Sequence, residues 1–244
     1  MRYENHTKAM AGDGRTSFGI FQGIASAAVS EILANRGFDW ILVDMEHGTI
    51  GIETTGDLFA VIRSGGPTPL VRVPSNDQAT IKRALDAGPM GGMEPRVNSR
   101  EEAERAVSDC KYAPAGSRGI GPGRASLYGV RMGEYLEAAD AQVMLIPQAE
   151  HKDAVERIDD ILSVPGIDAI FVGPYDLSCS MGLQGQVTHP EVEKAIAAVL
   201  AAAVRAGVAP GIFCMDAASA KRRAEQGFRF IAIGLDSVFL DNAV

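Results

Sequence analysis

Two apolar segments of strand length each run into a carboxylate. The run Met144–Ala149 is followed by Glu150, and the run Ala169–Gly173 is followed three residues later by Asp176. In parallel α/β folds the C-terminal ends of strands carry the catalytic groups. Two carboxylates brought together in this way, with Gln148 beside them, suit Mg²⁺ or Mn²⁺, because these ions prefer oxygen ligands and leave positions open for water and substrate. The alternative is that each acid caps the helix that follows it.

His47 follows another strand end and is a candidate general base. The strand Trp40–Asp44 leads into a loop that contains His47, three residues after Asp44. A carboxylate in that position could orient the imidazole and raise its basicity. The alternative is a histidine whose hydrogen bonds are satisfied within the loop.

Arg72 lies in an otherwise apolar strand, Pro69–Val73. A buried guanidinium needs an anionic partner, which is either a substrate oxyanion or a neighbouring carboxylate. The six lysines all fall in the N-terminal tail or on predicted helices. A Schiff-base aldolase needs a desolvated lysine at the catalytic end of the strands, so a metal is the remaining means of activating a carbonyl group.

The elements that would position these residues alternate between strand and helix along the whole chain. Eight such units without a linker, in 244 residues, predict one (β/α)₈ barrel domain spanning 1–244, with a polar lead at 1–16. Only 236–244 follow the last strand, so the eighth helix is short or missing, and we expect a partner subunit to cover the barrel near its first and last strands. The predicted strands are 18–23, 40–44, 69–73, 91–97, 142–148, 169–173, 208–214 and 228–235.

Composition excludes several classes of protein. An apolar content of 46% allows a large core, whereas a net charge of −8 and a pI near 5.1 argue against a nucleic-acid surface. No apolar run approaches the length of a membrane span. The three cysteines are far apart and lack metal-ligand spacing, which predicts reduced thiols in a cytoplasmic protein.

The longest irregular segment, 113–126, is rich in Gly, Pro and Arg. It is not a dinucleotide-binding loop, because no strand leads directly into it and no helix starts on its glycines. One interpretation is a lid whose Arg118 or Arg124 meets the substrate or a neighbouring subunit. The other is a simple connector.

Several motifs together resemble the HpcH/HpaI aldolase family, the metal-dependent 4-hydroxy-2-oxoacid aldolases that include macrophomate synthase-like proteins. The resemblance covers nearly the whole chain, in order. Its motifs are GFDWILVDMEHG (37–48), VRVP (71–74), IKRALDAG (81–88), KYAPAGSRGIG (111–121), QAE (148–150), GIDAIFVGPYDLSCSMG (166–182), HPEV (189–192) and APGIF (209–213).

This resemblance implies a class II aldolase on a (β/α)₈ barrel that cleaves 4-hydroxy-2-oxo acids to pyruvate and an aldehyde through the enolate of pyruvate. The implied cofactor is Mg²⁺, Mn²⁺ or Co²⁺, with no organic cofactor, and the implied assembly is a homotrimer or homohexamer. The implied site comprises the metal ligands Glu150 and Asp176, the neighbouring polar contact Gln148, the catalytic His47 with Asp44, the enolate-stabilising Arg72, and the carboxylate-binding segment Gly173, Pro174, Tyr175 and Asp176.

The chain also departs from the family pattern. Glu94 and Arg96 replace residues that are usually apolar, and they could pair with each other or reshape the acceptor side of the pocket. Tyr175 is bulkier than its counterpart in the simplest bacterial aldolases and resembles the macrophomate synthase-like branch. Three other functions are alternatives: oxaloacetate decarboxylation coupled to C–C bond formation, a CoA-ester lyase like the citrate lyase β chain, and a catalytically silent scaffold.

Overall fold

The computed structural model describes residues 3–244. Its eight strands are all parallel and form one closed barrel in sequence order, which confirms the predicted (β/α)₈ fold. The strands are β1 (Ser17–Gln22), β2 (Trp40–Asp44), β3 (Thr68–Arg72), β4 (Gly91–Glu94), β5 (Met144–Ala149), β6 (Ala169–Val172), β7 (Ala209–Cys214) and β8 (Phe230–Leu235).

Helices surround the barrel and run back from the end of each strand toward the start of the next. Within the described residues none of them combines the length and the apolar character that crossing a membrane requires. They are α1 (His6–Gly12), α2 (Ala27–Ala34), α3 (Ile52–Gly65), α4 (Gln78–Asp86), α5 (Arg100–Cys110), α6 (Met132–Gln142), α7 (Lys152–Glu156), α8 (Ile158–Leu162), α9 (Pro174–Ser180), α10 (Pro190–Ala206), α11 (Ala217–Gln226) and α12 (Asp236–Ala243).

Large aromatic rings fill the lower part of the barrel interior beside glycines. The rings of Trp40 and Phe230 stack with their centroids 4.3 Å apart. A Cβ atom on Gly19 would lie 2.0 Å from the Trp40 ring, so this strand position accepts no larger residue. Because successive side chains of a strand point to opposite faces, the same alternation that packs these rings also directs Asp44 and Arg72 to the upper end of the interior.

The segment predicted as a polar lead contains helix α1, which lies across the lower end of the barrel. The Oγ1 of Thr7 donates a 2.8 Å hydrogen bond to Thr68 at the start of β3, and Lys8 forms a 3.1 Å ion pair with Asp168 just before β6. Residues 1 and 2 of this lead lie outside the described part of the chain. The polar residues of the lead therefore anchor a helix instead of forming an irregular tail.

The eighth helix is short, as predicted. Helix α12 has 8 residues and starts directly at the end of β8, so it packs near the upper end of the barrel. Beside it an apolar groove runs between α11 and the outer side of β1 and β8, where Phe18 and Ile233 are partly exposed. Coverage of this region by a partner subunit stays a prediction, as does the oligomeric state.

Candidate active site

A cavity of ≈ 310 Å³ opens at the C-terminal ends of the strands, where (β/α)₈ enzymes carry their active sites. We call it the mouth pocket. Eight of the residues that the sequence predicted for the site line it, together with four apolar side chains. The lining residues are Asp44, His47, Arg72, Gln148, Gly173, Pro174, Tyr175, Asp176, Phe21, Phe171, Phe213 and Leu235.

Asp44 and Arg72 form a buried two-point ion pair in the wall of the mouth pocket. Strands β2 and β3 pair in a register that sets Asp44 opposite Arg72. The Nε of Arg72 donates to Oδ1 of Asp44 over 2.9 Å, and Nη2 donates to Oδ2 over 2.6 Å. Paired hydrogen bonds of this kind fix the plane of the guanidinium, so Arg72 presents its remaining nitrogen, Nη1, in one orientation.

Arg72 is a permanent cation in this position. Burial opposes its charge, but the hydrogen bonds and attraction of Asp44, followed by the attraction of Glu46 and Glu150, outweigh burial and raise the pKa of Arg72 above that of an ordinary arginine. Its guanidinium carbon also lies 5.1 Å from the centroid of the Phe21 ring. Neighbouring carboxylates are thus one partner of Arg72, and the exposed part of its guanidinium still faces the pocket.

The predicted pairing of Asp44 with the imidazole of His47 is not present. Asp44 receives hydrogen bonds from Arg72 and from the backbone amides of Glu46 and His47, so its oxygens are already occupied. The His47 side chain is 62% exposed, and its Nε2 lies 4.0 Å from Oε2 of Glu46. The carboxylate nearest to the imidazole is therefore that of Glu46.

Glu46 is a site residue whose role was not predicted from the sequence. Its Oε2 lies 3.2 Å from Nη1 of Arg72, yet this oxygen is buried and makes no aligned hydrogen bond with any described residue. Burial raises the pKa of Glu46, and the charges of Arg72 and His47 partly offset that increase. Glu46 therefore links the arginine and the histidine through charge attraction.

Glu150 lies behind the lining of the mouth pocket. Its Oε1 accepts a 2.9 Å hydrogen bond from the amide of Arg96, and its Oε2 accepts a 2.9 Å hydrogen bond from Nε2 of Gln148. The Arg96 backbone has a φ of 54°, in the left-handed region that is uncommon for a residue other than glycine. Both carboxylate oxygens are consequently held in a defined direction.

Glu150 and Asp176 are close enough to interact through their charges. Burial, followed by repulsion from Glu46 and Asp176, raises the pKa of Glu150 to about 7. Asp176 is exposed in the first turn of α9, and its charge also raises the pKa of Glu46. Three carboxylates therefore concentrate negative charge on one side of the mouth pocket, opposed by a single buried arginine.

Gly173 allows the backbone after β6 to approach Glu150. A Cβ atom at this position would lie 3.1 Å from Oε2 and 3.2 Å from Cβ of Glu150, which is tighter than ordinary van der Waals contact. Pro174 follows at the first position of α9, where proline is favoured because no backbone donor is needed there. The short turn from β6 into α9 thus sets Asp176 beside Glu150.

These residues fit a divalent cation that prefers oxygen ligands. Glu150 and Asp176 supply two carboxylates, and Oε1 of Gln148 is buried without a hydrogen-bond partner in the described chain. Within residues 3–244 no three His, Cys, Asp or Glu side chains group into a complete metal cage. Mg²⁺ and Mn²⁺ sites commonly use one or two carboxylates and complete the coordination with water and substrate, so the donor set is sufficient.

The segment 113–126, interpreted as a lid, does not cover the mouth pocket of its own subunit. Arg118 donates to Asp86, the last residue of α4, over 2.9 Å, and to the hydroxyl of Tyr135 over 3.0 Å. Arg124 donates to the carbonyl of Ala87, directly after α4. Because helices run antiparallel to the strands, the end of α4 lies at the opposite end of the barrel from the mouth. The segment connects α5 and α6 on that side.

We predict that Arg118→Met lowers stability and leaves turnover at the mouth unchanged. The guanidinium is buried, and its central carbon lies 4.8 Å from the centroid of the Tyr112 ring. Its loss would leave the partly buried Asp86 unpaired, which we expect to cost about 2 kcal/mol of unfolding free energy. Urea unfolding of the variant measures this cost, with Arg105→Met on the outer face of α5 as the control. A change in kcat/KM without a loss of stability would revive the lid interpretation.

Glu94 ends β4 and Arg96 follows it, because the strand is shorter than the predicted 91–97. These two family departures do not pair with each other in the described chain and do not enter the mouth pocket. Glu94 points outward from the barrel, where Cys110 of α5 donates to it at 3.8 Å. Arg96 contributes its backbone amide to Glu150, and its side chain is exposed. Neither side chain lines the cavity.

The apolar walls of the mouth pocket were missed at the sequence level. Phe21, Phe171, Phe213 and Leu235 stand at or near strand ends, on the face that points into the barrel. The alternation of side chains along each strand was a signal that could have identified them.

The chain is similar to known proteins over nearly its whole length. Residues 17–243 match the model of the family described as HpcH/HpaI aldolase/citrate lyase. The chain is 40% identical to a hydroxypyruvate/pyruvate aldolase of Paraburkholderia phytofirmans, over 98% of this chain and 94% of that protein. It is 38% identical to a 4-hydroxy-2-oxo-heptane-1,7-dioate aldolase of Shigella flexneri, over 98% and 90%.

A solved structure gives the same result. The crystal structure of an HpcH/HpaI aldolase/citrate lyase family protein from Burkholderia cenocepacia J2315 superposes with a TM-score of 0.94 and 37% identity, covering 98% of this chain and 96% of that one. The family model and both relatives extend over almost the entire barrel, including each strand end that contributes to the mouth pocket. The chain therefore belongs to the HpcH/HpaI aldolase/citrate lyase family.

Proposed function

We propose that this protein is a divalent-metal-dependent, class II aldolase that interconverts a 4-hydroxy-2-oxo acid with pyruvate and an aldehyde. The observation that carries the proposal is that Asp176 and the fixed cation Arg72 line one cavity, with Glu150 behind that lining and within range of charge interaction with both. The names of the relatives, which are pyruvate and 4-hydroxy-2-oxo acid aldolases, support the same reaction class. Aldol cleavage needs an electrophile at the 2-oxo group and a base at the 4-hydroxyl.

Glu150 and Asp176 would hold the cation, with Gln148 as an additional oxygen donor. The cation would act there as a Lewis acid toward the 2-oxo acid. Gly173 and the first turn of α9 lie beside these acids and expose backbone N–H groups that have no partner within the helix. We assign this turn to the substrate carboxylate, since an anion is favoured at such amides.

Arg72 would stabilise the negative charge that develops on the 2-oxo oxygen. Asp44 holds the guanidinium plane by two hydrogen bonds, so Nη1 needs no reorientation during the reaction. His47 lines the same cavity and would accept the 4-hydroxyl proton at a ring nitrogen. The charge of Glu46, 4.0 Å from Nε2, would stabilise the protonated imidazole.

Exchange of the pyruvate C3 protons in D₂O tests the proposal directly. We expect exchange that depends on added Mg²⁺ or Mn²⁺, and we expect Arg72→Ala to retain metal binding while its exchange rate falls by about 10²-fold to 10³-fold, the usual effect of losing one stabilising donor. Arg83→Ala, on the exposed side of α4, is the matched control. Unaltered exchange in Arg72→Ala would contradict the role of Arg72, and absence of exchange in the metal-loaded wild type would contradict the aldolase proposal.

A further inference from the structure

A second cavity, of ≈ 420 Å³, adjoins the mouth pocket. It lies between α10 and α11, beside the end of β7. Pro174, Tyr175 and Phe213 line both cavities, so these three residues form a shared boundary. A substrate chain that leaves the mouth pocket past this boundary enters the second cavity.

Charged groups in the second cavity balance one another. Arg223 donates to both oxygens of Glu193, over 2.8 and 2.7 Å. Asp216 caps α11 by accepting from the amide of Ser219. Arg222, which is exposed, makes no ion pair with any residue in the described part of the chain and shares the cavity with Asp216. Two acids and two arginines therefore give this wall no net charge.

The polar wall contains hydrogen-bond donors as well as acceptors. Thr188, Ser219 and Gln226 add hydroxyl and amide groups to the charged pairs. Each hydroxyl of a polyol both donates and accepts, so it can use both kinds of partner. A carboxylate only accepts, so it cannot donate to the acceptor oxygens of Glu193 and Asp216 that line the same wall.

The boundary suits the carbon chain of the same ligand. Pro174, Tyr175 and Phe213 offer mainly apolar surface, and Tyr175 is exposed enough to contact a ligand in either cavity. Small-molecule sites typically combine an apolar lining with a few polar groups that fix orientation. A ligand with C–H groups along its chain and hydroxyls at its distal end matches this order of apolar boundary and polar wall.

We propose that the second cavity binds the distal end of a hydroxylated aldehyde acceptor that is too long for the mouth pocket alone. This assignment rests on the proposed aldolase function, in which the mouth pocket holds the 2-oxo acid and the aldehyde carbon. Tyr175 and Phe213 then flank the middle of the acceptor, and Thr188 and Arg222 contact its terminal hydroxyls.

The test compares aldehydes that differ in length and terminal group. Glycolaldehyde is short enough to stay in the mouth pocket, D-erythrose extends with hydroxyls, and succinic semialdehyde extends with a carboxylate. Thr188→Phe fills the second cavity from an exposed loop position, and Gln186→Phe adds the same ring to the same loop outside the cavity lining. We expect kcat/KM for erythrose, relative to glycolaldehyde, to fall by about tenfold or more in Thr188→Phe and to stay unchanged in Gln186→Phe.

Arg222→Gln provides a second variant, with Lys221→Gln as its neighbour outside the cavity. A several-fold loss of kcat/KM for erythrose is expected only in the Arg222 variant, because the substitution removes a guanidinium that lines the cavity and can donate to hydroxyls. Saturation-transfer NMR with erythritol should detect binding to the wild type and its loss in Thr188→Phe, independent of turnover. If kcat/KM for erythrose relative to glycolaldehyde is unchanged in both variants, the proposal is overturned. If kcat/KM falls only for succinic semialdehyde, the assigned ligand class is overturned.

Pyruvate C3 exchange without aldehyde separates these outcomes from the aldolase proposal. If the wild type exchanges the C3 protons but the two cavity variants keep the wild-type ratio of kcat/KM for erythrose to that for glycolaldehyde, the second cavity is rejected as an acceptor site. The aldolase assignment then stays intact. Loss of exchange in the metal-loaded wild type rejects the aldolase assignment and with it the acceptor role of the cavity.

Discussion

Glu150→Gln is expected to abolish metal binding and metal-dependent pyruvate exchange. The substitution keeps the size of the side chain but removes the negative charge that, with Asp176, would bind the cation. Even residues that only orient a metal ligand change affinity by about 10-fold to 100-fold when replaced, so we expect a larger loss for a ligand itself. Titration with Mn²⁺ followed by electron paramagnetic resonance measures binding without relying on activity.

Thermal unfolding adds a second measurement of the same prediction. A ligand that binds only the folded state raises stability, so Mn²⁺ should raise the unfolding midpoint of the wild type and of the control Glu225→Gln on the exposed side of α11. The midpoint of Glu150→Gln should not respond. Because burial and repulsion by Glu46 and Asp176 oppose the charge of Glu150 in the metal-free protein, the variant is expected to fold. Normal Mn²⁺ affinity in a folded Glu150→Gln protein would refute the ligand assignment.

The barrel could be predicted because each repeating unit leaves a strong local signal. Apolar runs of strand length alternate with helices that end at glycine, and β2 was predicted with the bounds that the structure has, Trp40–Asp44. Helix α1 was missed because its sequence is polar and lacks an apolar stripe. Its stability comes from contacts such as Thr7 with Thr68, which join residues far apart in sequence and leave no local pattern.

The site could be predicted as a set of residues but not as a set of partners. Strand ends bring polar residues to one mouth, which is a property of the topology. Which carboxylate contacts which cation depends on strand register and rotamers. The sequence separation of three residues favoured Asp44 as the partner of His47, whereas the register of β2 and β3 sets Asp44 opposite Arg72. The position of Arg118 could not be predicted for a similar reason, since a loop rich in Gly and Arg does not reveal at which end of the barrel it lies.

Glu94 is a buried carboxyl group without a role in the mouth pocket. It is 0% exposed on the outer face of β4, where its side chain folds back over Gly92. One oxygen accepts from the thiol of Cys110 at 3.8 Å, a weak donor, and the other has no partner in the described chain. Burial without a cation raises the pKa of Glu94 from 4.5 to about 8.

This pKa increase makes Glu94 a source of pH-dependent instability. A folded-state pKa above the unfolded value means that the folded protein binds the proton more tightly, so the stability contribution is fully present below pH 4.5 and is lost as pH rises toward 8. At pH 7 the folded carboxyl is still largely protonated, while that of the unfolded chain is ionised. This difference in protonation between the folded and unfolded protein lowers the free energy of unfolding by about 3 kcal/mol at pH 7 relative to pH 4.5.

Glu94→Gln and Glu94→Val should therefore become more stable relative to the wild type as pH rises. We expect the difference in unfolding free energy to increase by about 3 kcal/mol between pH 4.5 and pH 7 in both variants. The valine variant should gain more at each pH, because it also removes the unpartnered oxygen. Urea unfolding across this pH range measures the difference, and Glu137→Gln on the exposed face of α6 is the matched control. A difference that stays constant with pH would show that Glu94 titrates normally in the folded protein, contrary to its burial.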